Sequence, residues 1–385
     1  MTLITATLAP LTEADHDMQR AADSYGTPLV YYSLRRLRAQ IERLRNAMSG
    51  YPVRLLFATM ANDRPEILRA LAAEGVGACV NSLLHLQKAF SQGFPAASVQ
   101  FTSCGLPVTD MSLLQSLNIR ANLDSLSQIK TWCSLKPGAV AGARINAAAL
   151  VGPSAVPDRI GMDINDFLQA RAAARSLGGR VNGIHVYAGT NFQNARDILP
   201  ALRGILSLAE QHPDLDYVNI GGGIGVDYSH SAEPFDYEEF GHEVCALARD
   251  AAHRRGKPFD LIFEPGRSLV AASGEFITAV TDVKILHDSC FVTVDASVAV
   301  FPRPFHHPGN FHNVRVLSRG PQQEDYVPAT VVGRTTFSKD ILGSYMLPES
   351  IEVGDLLLFE DAGAYCESMI SRFLGQAEPR YVCEE

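Results

Sequence analysis

RLLFATMA, Arg54 to Ala61, is a short apolar run that ends in a methionine and hands over at Asn62-Asp63 to a stretch of helical periodicity, Pro65–Glu74. Seven runs of the same kind follow it: Gly77–Val80, Val99–Thr102, Ile119–Leu123, Ala141–Ile145, Val181–Val186, Tyr217–Ile220 and Asp260–Phe263. Helical stretches separate most of them, among them Leu83–Gln92, Ile164–Leu177, Ala195–Gln211 and Tyr237–Arg255. Such alternation implies parallel strands joined by crossover helices. Eight units over about 210 residues fit a (β/α)8 barrel better than an open doubly wound sheet.

The flanks read differently. Leu11–Tyr25 and Leu34–Ser49 are helical in pattern, with a strand-like Leu29–Ser33 between them. After Glu275 the helical stretches nearly vanish, and EFITAVTDVKIL, CFVTVDA, ATVVG and DLLLFED alternate like antiparallel strands between turn residues. The expected organisation is an N-terminal segment, 1–33, associated with a β domain at 275–385, and a barrel over 34–274.

Composition narrows the function. The chain has 385 residues, 46% hydrophobic and 19% charged, which describes a well-buried globular protein. Its net charge of −9 is spread without basic clusters, so nucleic acid is not an expected partner. No run reaches the length of a membrane span and the N-terminus has no basic start, so a cytosolic (cytoplasmic) protein is expected. The seven cysteines are scattered, with no CxxC pair. Reduced thiols are the default.

In a barrel of this type the chemistry sits at the C-terminal ends of the strands. The residues there are Met60, Cys79, Thr102–Gly105, Asp124, Arg144, Tyr187–Thr190, Gly221–Gly223 and Glu264–Arg267. Gly221, Gly222 and Gly223 can bring backbone N–H groups close to an anion, although three glycines are equally a flexible turn. Glu264-Pro265-Gly266-Arg267 offers an acid and a base at a stiff turn, a pattern that alone is more often a surface pair than a site. Asp361–Tyr365, DAGAY, is by itself a turn with a tyrosine. A metal at Cys79, His85 and Cys104 is not expected, because lone Cys and His residues more often pack than ligate.

Taken together, FATMANDRPEILRALAAEGVGACVNS, Gly221–Gly223, Glu264–Arg267 and Asp361–Tyr365 resemble the signature segments of the fold type III pyridoxal-phosphate decarboxylases. This is the alanine-racemase-like group that includes diaminopimelate and ornithine decarboxylases. The resemblance runs from about Thr27 to the C-terminus. It implies that Gly221–Gly223, Gly266, Arg267 and Tyr365 hold the cofactor phosphate, with Thr190 in place of a serine. It also implies that Glu264 pairs with the pyridine nitrogen, and that Arg144 stands near the ring.

The departures are as informative. Where the family carries the lysine that binds the cofactor covalently, this chain has Met60, whose thioether cannot do so. Cys79 replaces an aspartate, His85 a glutamate, and Tyr187 the histidine that stacks on the ring. Thr336-Phe337 replaces a cysteine-acid pair that the family supplies across a dimer interface, Asp340 keeps an acid nearby, and His307 replaces a substrate-facing tyrosine. So many changes together point to natural divergence rather than one exchange. Of six lysines, only Lys339 stands in a segment placed to substitute.

Two functions follow as expectations. One is a PLP-dependent decarboxylase-like lyase, biosynthetic, holding pyridoxal phosphate non-covalently and acting on a small amino-acid-derived substrate as a homodimer with shared active sites. The other is a repurposed or inactive relative that binds a different anion or a protein partner. Phe337 in place of an acid disfavours a substrate with a distal ammonium group.

Overall fold

The computed structural model describes residues 3–6, 10–152, 159–318 and 325–385. It separates into two compact units: Ala39–Val226 with Pro234–Ser268, and Met1–Arg38 with Asp227–Glu233 and Leu269–Glu385.

The first unit is a closed eight-stranded parallel barrel. Its strands, in chain order, are Val53–Ala58, Gly77–Val80, Val99–Thr102, Arg120–Leu123, Val140–Ile145, Arg180–Val186, Tyr217–Asn219 and Asp260–Phe263, and the eighth pairs back to the first. Phe57, Val80, Phe101, Leu123, Ile184 and Val218 are all essentially buried, as the continuous apolar runs require of strands covered on both faces. The helices between them are capped by their own sequence. Ser82, Ser125 and Asp236 each accept a hydrogen bond from a backbone N–H in the first turn, and Pro65 opens its helix where no N–H is needed.

The barrel interior is built around Tyr217. A Cβ on Gly183 would come within 2.1 Å of its ring, and one on Gly142 within 1.9 Å of its hydroxyl, so both neighbours must be glycine. The seventh strand stops at Asn219 rather than Ile220, with Gly221 turning away at φ +65°.

The second unit is a mostly antiparallel sheet. Gly274–Leu286 is its spine, paired antiparallel with Ser289–Val294, with Leu356–Phe359 and with Leu29–Ser33. Tyr326–Gly333 and Ile341–Pro348 extend it as an antiparallel pair, and the C-terminal Arg380–Glu384 runs parallel to Leu29–Ser33. Phe276 stacks on Phe301 with centroids 4.4 Å apart. The helix Glu13–Tyr25, closed by a capping box at Thr12, buries Met18, Ala21 and Ala22 in one cluster with Leu29, Tyr31, Ile277 and Leu358. Among the described residues no helix is long and apolar enough to cross a membrane.

Candidate cofactor-binding site

Glu264, at the end of the eighth barrel strand, is 7% exposed, and its carboxylate is held from several sides. His185 Nε2 lies 3.1 Å from Oε2, and Asn219 Nδ2 donates to Oε1 at 2.6 Å. The Cys79 thiol hydrogen-bonds it as well. Burial works against charge on Glu264. It is outweighed by His185 first, then by Asn219 and Cys79, and the carboxyl sits below its ordinary range. On His185 burial, the larger effect, disfavours the charged form while Glu264 favours it; facing a carboxylate, Nε2 is the donor in either state. The Cys79 thiol, buried and beside this carboxylate, is pushed well up and stays protonated.

Asn219 also fixes the neighbouring turn. Its Oδ1 accepts from Gly221 N at 2.9 Å, and its Nδ2 reaches Gln100 Oε1 at 2.5 Å. The turn itself admits no side chain: a Cβ would meet Val186 O at 2.2 Å from Gly221, Glu264 O at 2.2 Å from Gly222, and Gly189 O at 2.7 Å from Gly223. Gly266 packs on Ala58 and Ala61, and Arg267, 8% exposed, follows it.

The remaining barrel candidates occupy the same rim. Met60, half-buried, lies in the 3-10 turn Thr59–Ala61 that follows the first strand. Thr59 Oγ1 ties that turn to Cys79 O at 3.1 Å. Arg144 is the penultimate residue of the fifth strand, with its guanidinium 5.7 Å from the Tyr187 ring and its Nε buried without a partner. Thr190 is exposed. His85 points into a polar cluster: Nδ1 is 2.8 Å from Asn81 Oδ1, and Nε2 is 3.5 Å from Asp63, which Lys88 also contacts.

Sequence reasoning missed His185, Asn219 and Gln100. Each is a polar side chain within a run that reads as an apolar strand. A polar residue interrupting an apolar strand was the available signal.

In the β unit, Asp340 is buried and structural in its bonding. Its Oδ1 accepts from Val298 N at 2.8 Å, and its Oδ2 from both N and Oγ1 of Thr335. Thr336, Lys339 and His307 are exposed. Phe337 touches the rings of Phe305 and Phe373. Asp361 and Tyr365 both have left-handed backbone, at φ +57° and +56°, and Asp361 accepts from His230 Nε2 at 2.6 Å.

A buried, ionised carboxylate beside a side-chain-free turn and an arginine suits a ligand with a cationic ring nitrogen at one end and an anion at the other. Comparison with known proteins identifies that ligand class. Residues 34–271 match the family described as pyridoxal-dependent decarboxylase, pyridoxal binding domain, and the chain belongs to it. The diaminopimelate decarboxylase of Methanothermobacter thermautotrophicus is 27% identical over 383 residues, covering 95% of this chain and 88% of that protein. That of Neisseria meningitidis serogroup A is 28% identical over 92% of this chain and 88% of its own. The Helicobacter pylori diaminopimelate decarboxylase solved with L-lysine superposes with a TM-score of 0.86 at 25% identity, covering 96% and 94% of the two chains. The cofactor of the family is pyridoxal phosphate. Glu264 and the Gly221–Gly223 turn fit it, because the first offers a fixed anion to a protonated pyridine and the second leaves backbone exposed to a phosphate.

Proposed function

We propose that this protein is a PLP-dependent lyase of the amino-acid decarboxylase type that holds its cofactor without a covalent bond at Met60. The observation that carries this reading is Glu264, kept ionised inside the barrel by His185, Asn219 and Cys79. Such an arrangement costs desolvation and is useful chiefly to a cation placed against it. Pyridoxal phosphate, when bound, supplies the electron sink for bond cleavage at the α-carbon of an amino acid. The chain's own residues would do the rest. Glu264 would keep the pyridine nitrogen protonated, and Gly221–Gly223, Gly266, Arg267 and Thr190 would bind the phosphate. Tyr187 and Arg144 would stand near the ring.

Met60 has no amine, so substrate would have to react with an unattached cofactor, a slow exchange that suits modest flux. The substrate is a small amino acid or a derivative. We further propose a homodimer in which the segment carrying Thr336, Phe337 and Asp340 completes the partner's site, with Phe337 turning selectivity away from a distal ammonium group. The second reading, a non-catalytic relative, draws on the combined exchange at Met60, Cys79, His85 and Tyr187.

The deciding experiment is titration with pyridoxal phosphate followed by absorbance, borohydride reduction and mass measurement. The wild type is expected to bind the chromophore and to gain no cofactor mass on reduction, whereas Met60→Lys gains it at residue 60. A wild type with neither a spectral change nor calorimetric heat would defeat the proposal. A reduced adduct on Lys339 would relocate the attachment.

A further inference from the structure

At the other end of the barrel, between the N-terminal ends of the fourth, fifth and sixth strands, lies a cavity of about 360 Å³. Three cations line it. Arg120 opens the fourth strand, Arg180 opens the sixth, and Lys136 follows the helix Leu126–Leu135. Arg180 pairs with Asp216 at 3.1 Å, but among the described residues neither Arg120 nor Lys136 has a carboxylate partner. Two unneutralised cations converging on one cavity are unexpected in a chain of net charge −9.

The Arg120 guanidinium is held in place, 4.5 Å over the Tyr217 ring. Beneath them Asn182 is buried, and its Nδ2 donates at 3.3 Å to Asp216 Oδ2, the oxygen that Arg180 pairs with.

We propose that this mouth binds a phosphate group, free or carried by a small phosphorylated metabolite. Its anionic oxygens accept from Arg120, Lys136 and Arg180. The volume suits a small ligand of this size. The site shares no residue with the one around Glu264, and the proposal stands whatever reaction occurs there.

Calorimetric titration of the full chain with inorganic phosphate, at neutral pH and low ionic strength, tests it. Lys136 is exposed, so Lys136→Ala leaves the fold undisturbed. This variant is expected to weaken one binding component by about tenfold or more, while phosphate retained at the Gly221–Gly223 turn is unchanged. Identical titrations of wild type and Lys136→Ala would overturn the assignment. Glycerol phosphate distinguishes the source: tighter binding than inorganic phosphate indicates a metabolite, weaker binding the free ion.

Discussion

His185 donates from Nε2 to Glu264 Oε2 across 3.1 Å, with both side chains sealed inside the barrel. The bond joins the sixth strand to the eighth and sets the charge of the group that faces the cofactor. A hydrogen bond to a charged group contributes roughly 1.5–3 kcal/mol, so its loss is expected to weaken pyridoxal phosphate binding about tenfold to a hundredfold. Glu264→Gln, which keeps the shape and removes the charge, should show this in an absorbance titration. His185→Phe should do the same and also narrow the acid side of the binding profile, because Glu264 then protonates at a higher pH.

Gly222 leaves no room for a methyl group, since a Cβ would sit 2.2 Å from Glu264 O. Gly222→Ala must displace the backbone of the eighth strand's end. A stability loss of about 1–3 kcal/mol is expected in urea denaturation, together with a larger loss of cofactor affinity than of stability.

Asp63 links the first strand's exit to the helix Leu83–Ser91. Its carboxyl is lowered to about 2, first by the hydrogen bond from His85, against burial, and then by Lys88. The ordinary value is 3.8, so the folded state binds this proton less readily than the unfolded one. The contribution is therefore present above about pH 4 and disappears as pH falls toward 2, with a size of about 1–2 kcal/mol. Denaturation of wild type and Asp63→Asn across this window should converge at the acid end. Curves that stay parallel would show that Asp63 does not carry the effect.

His230 behaves in the opposite sense. The hydrogen bond to Asp361 raises its pKa above 6.5, with Glu360 and Asp227 helping against burial. Its stabilisation of the Asp361–Tyr365 turn is complete below that pH and is lost as pH rises through the raised value. His230→Asn should therefore lower Tm at pH 6 more than at pH 9, as measured by scanning calorimetry.

Much of this fold was legible because its signals are local. Gly77–Val80, Val99–Thr102, Asp260–Phe263 and Leu29–Ser33 have the same ends in the sequence reading and in the structure. Ile341–Pro348 and Arg380–Glu384 were not anticipated. The first carries Gly343-Ser344 in its middle and the second is short and charged, so neither shows alternation, and pairing with distant strands makes them regular. The cofactor-facing glycines and Glu264 were readable as residues following strands. His185 and Asn219 were not, because their roles arise only when the barrel closes and brings three strands around one carboxylate.

Tyr217, Gly142 and Gly183 are not independent positions. The ring fills the space that two missing side chains leave, so Gly183→Ala alone must evict it and Tyr217→Ala alone must leave a void. Their effects cannot add. A lineage could alter this layer only by moving through a compensated intermediate, with the smaller ring arriving before the larger neighbour. The three residues are therefore expected to change together, and a relative that has lost either glycine should carry a smaller side chain where this chain has tyrosine.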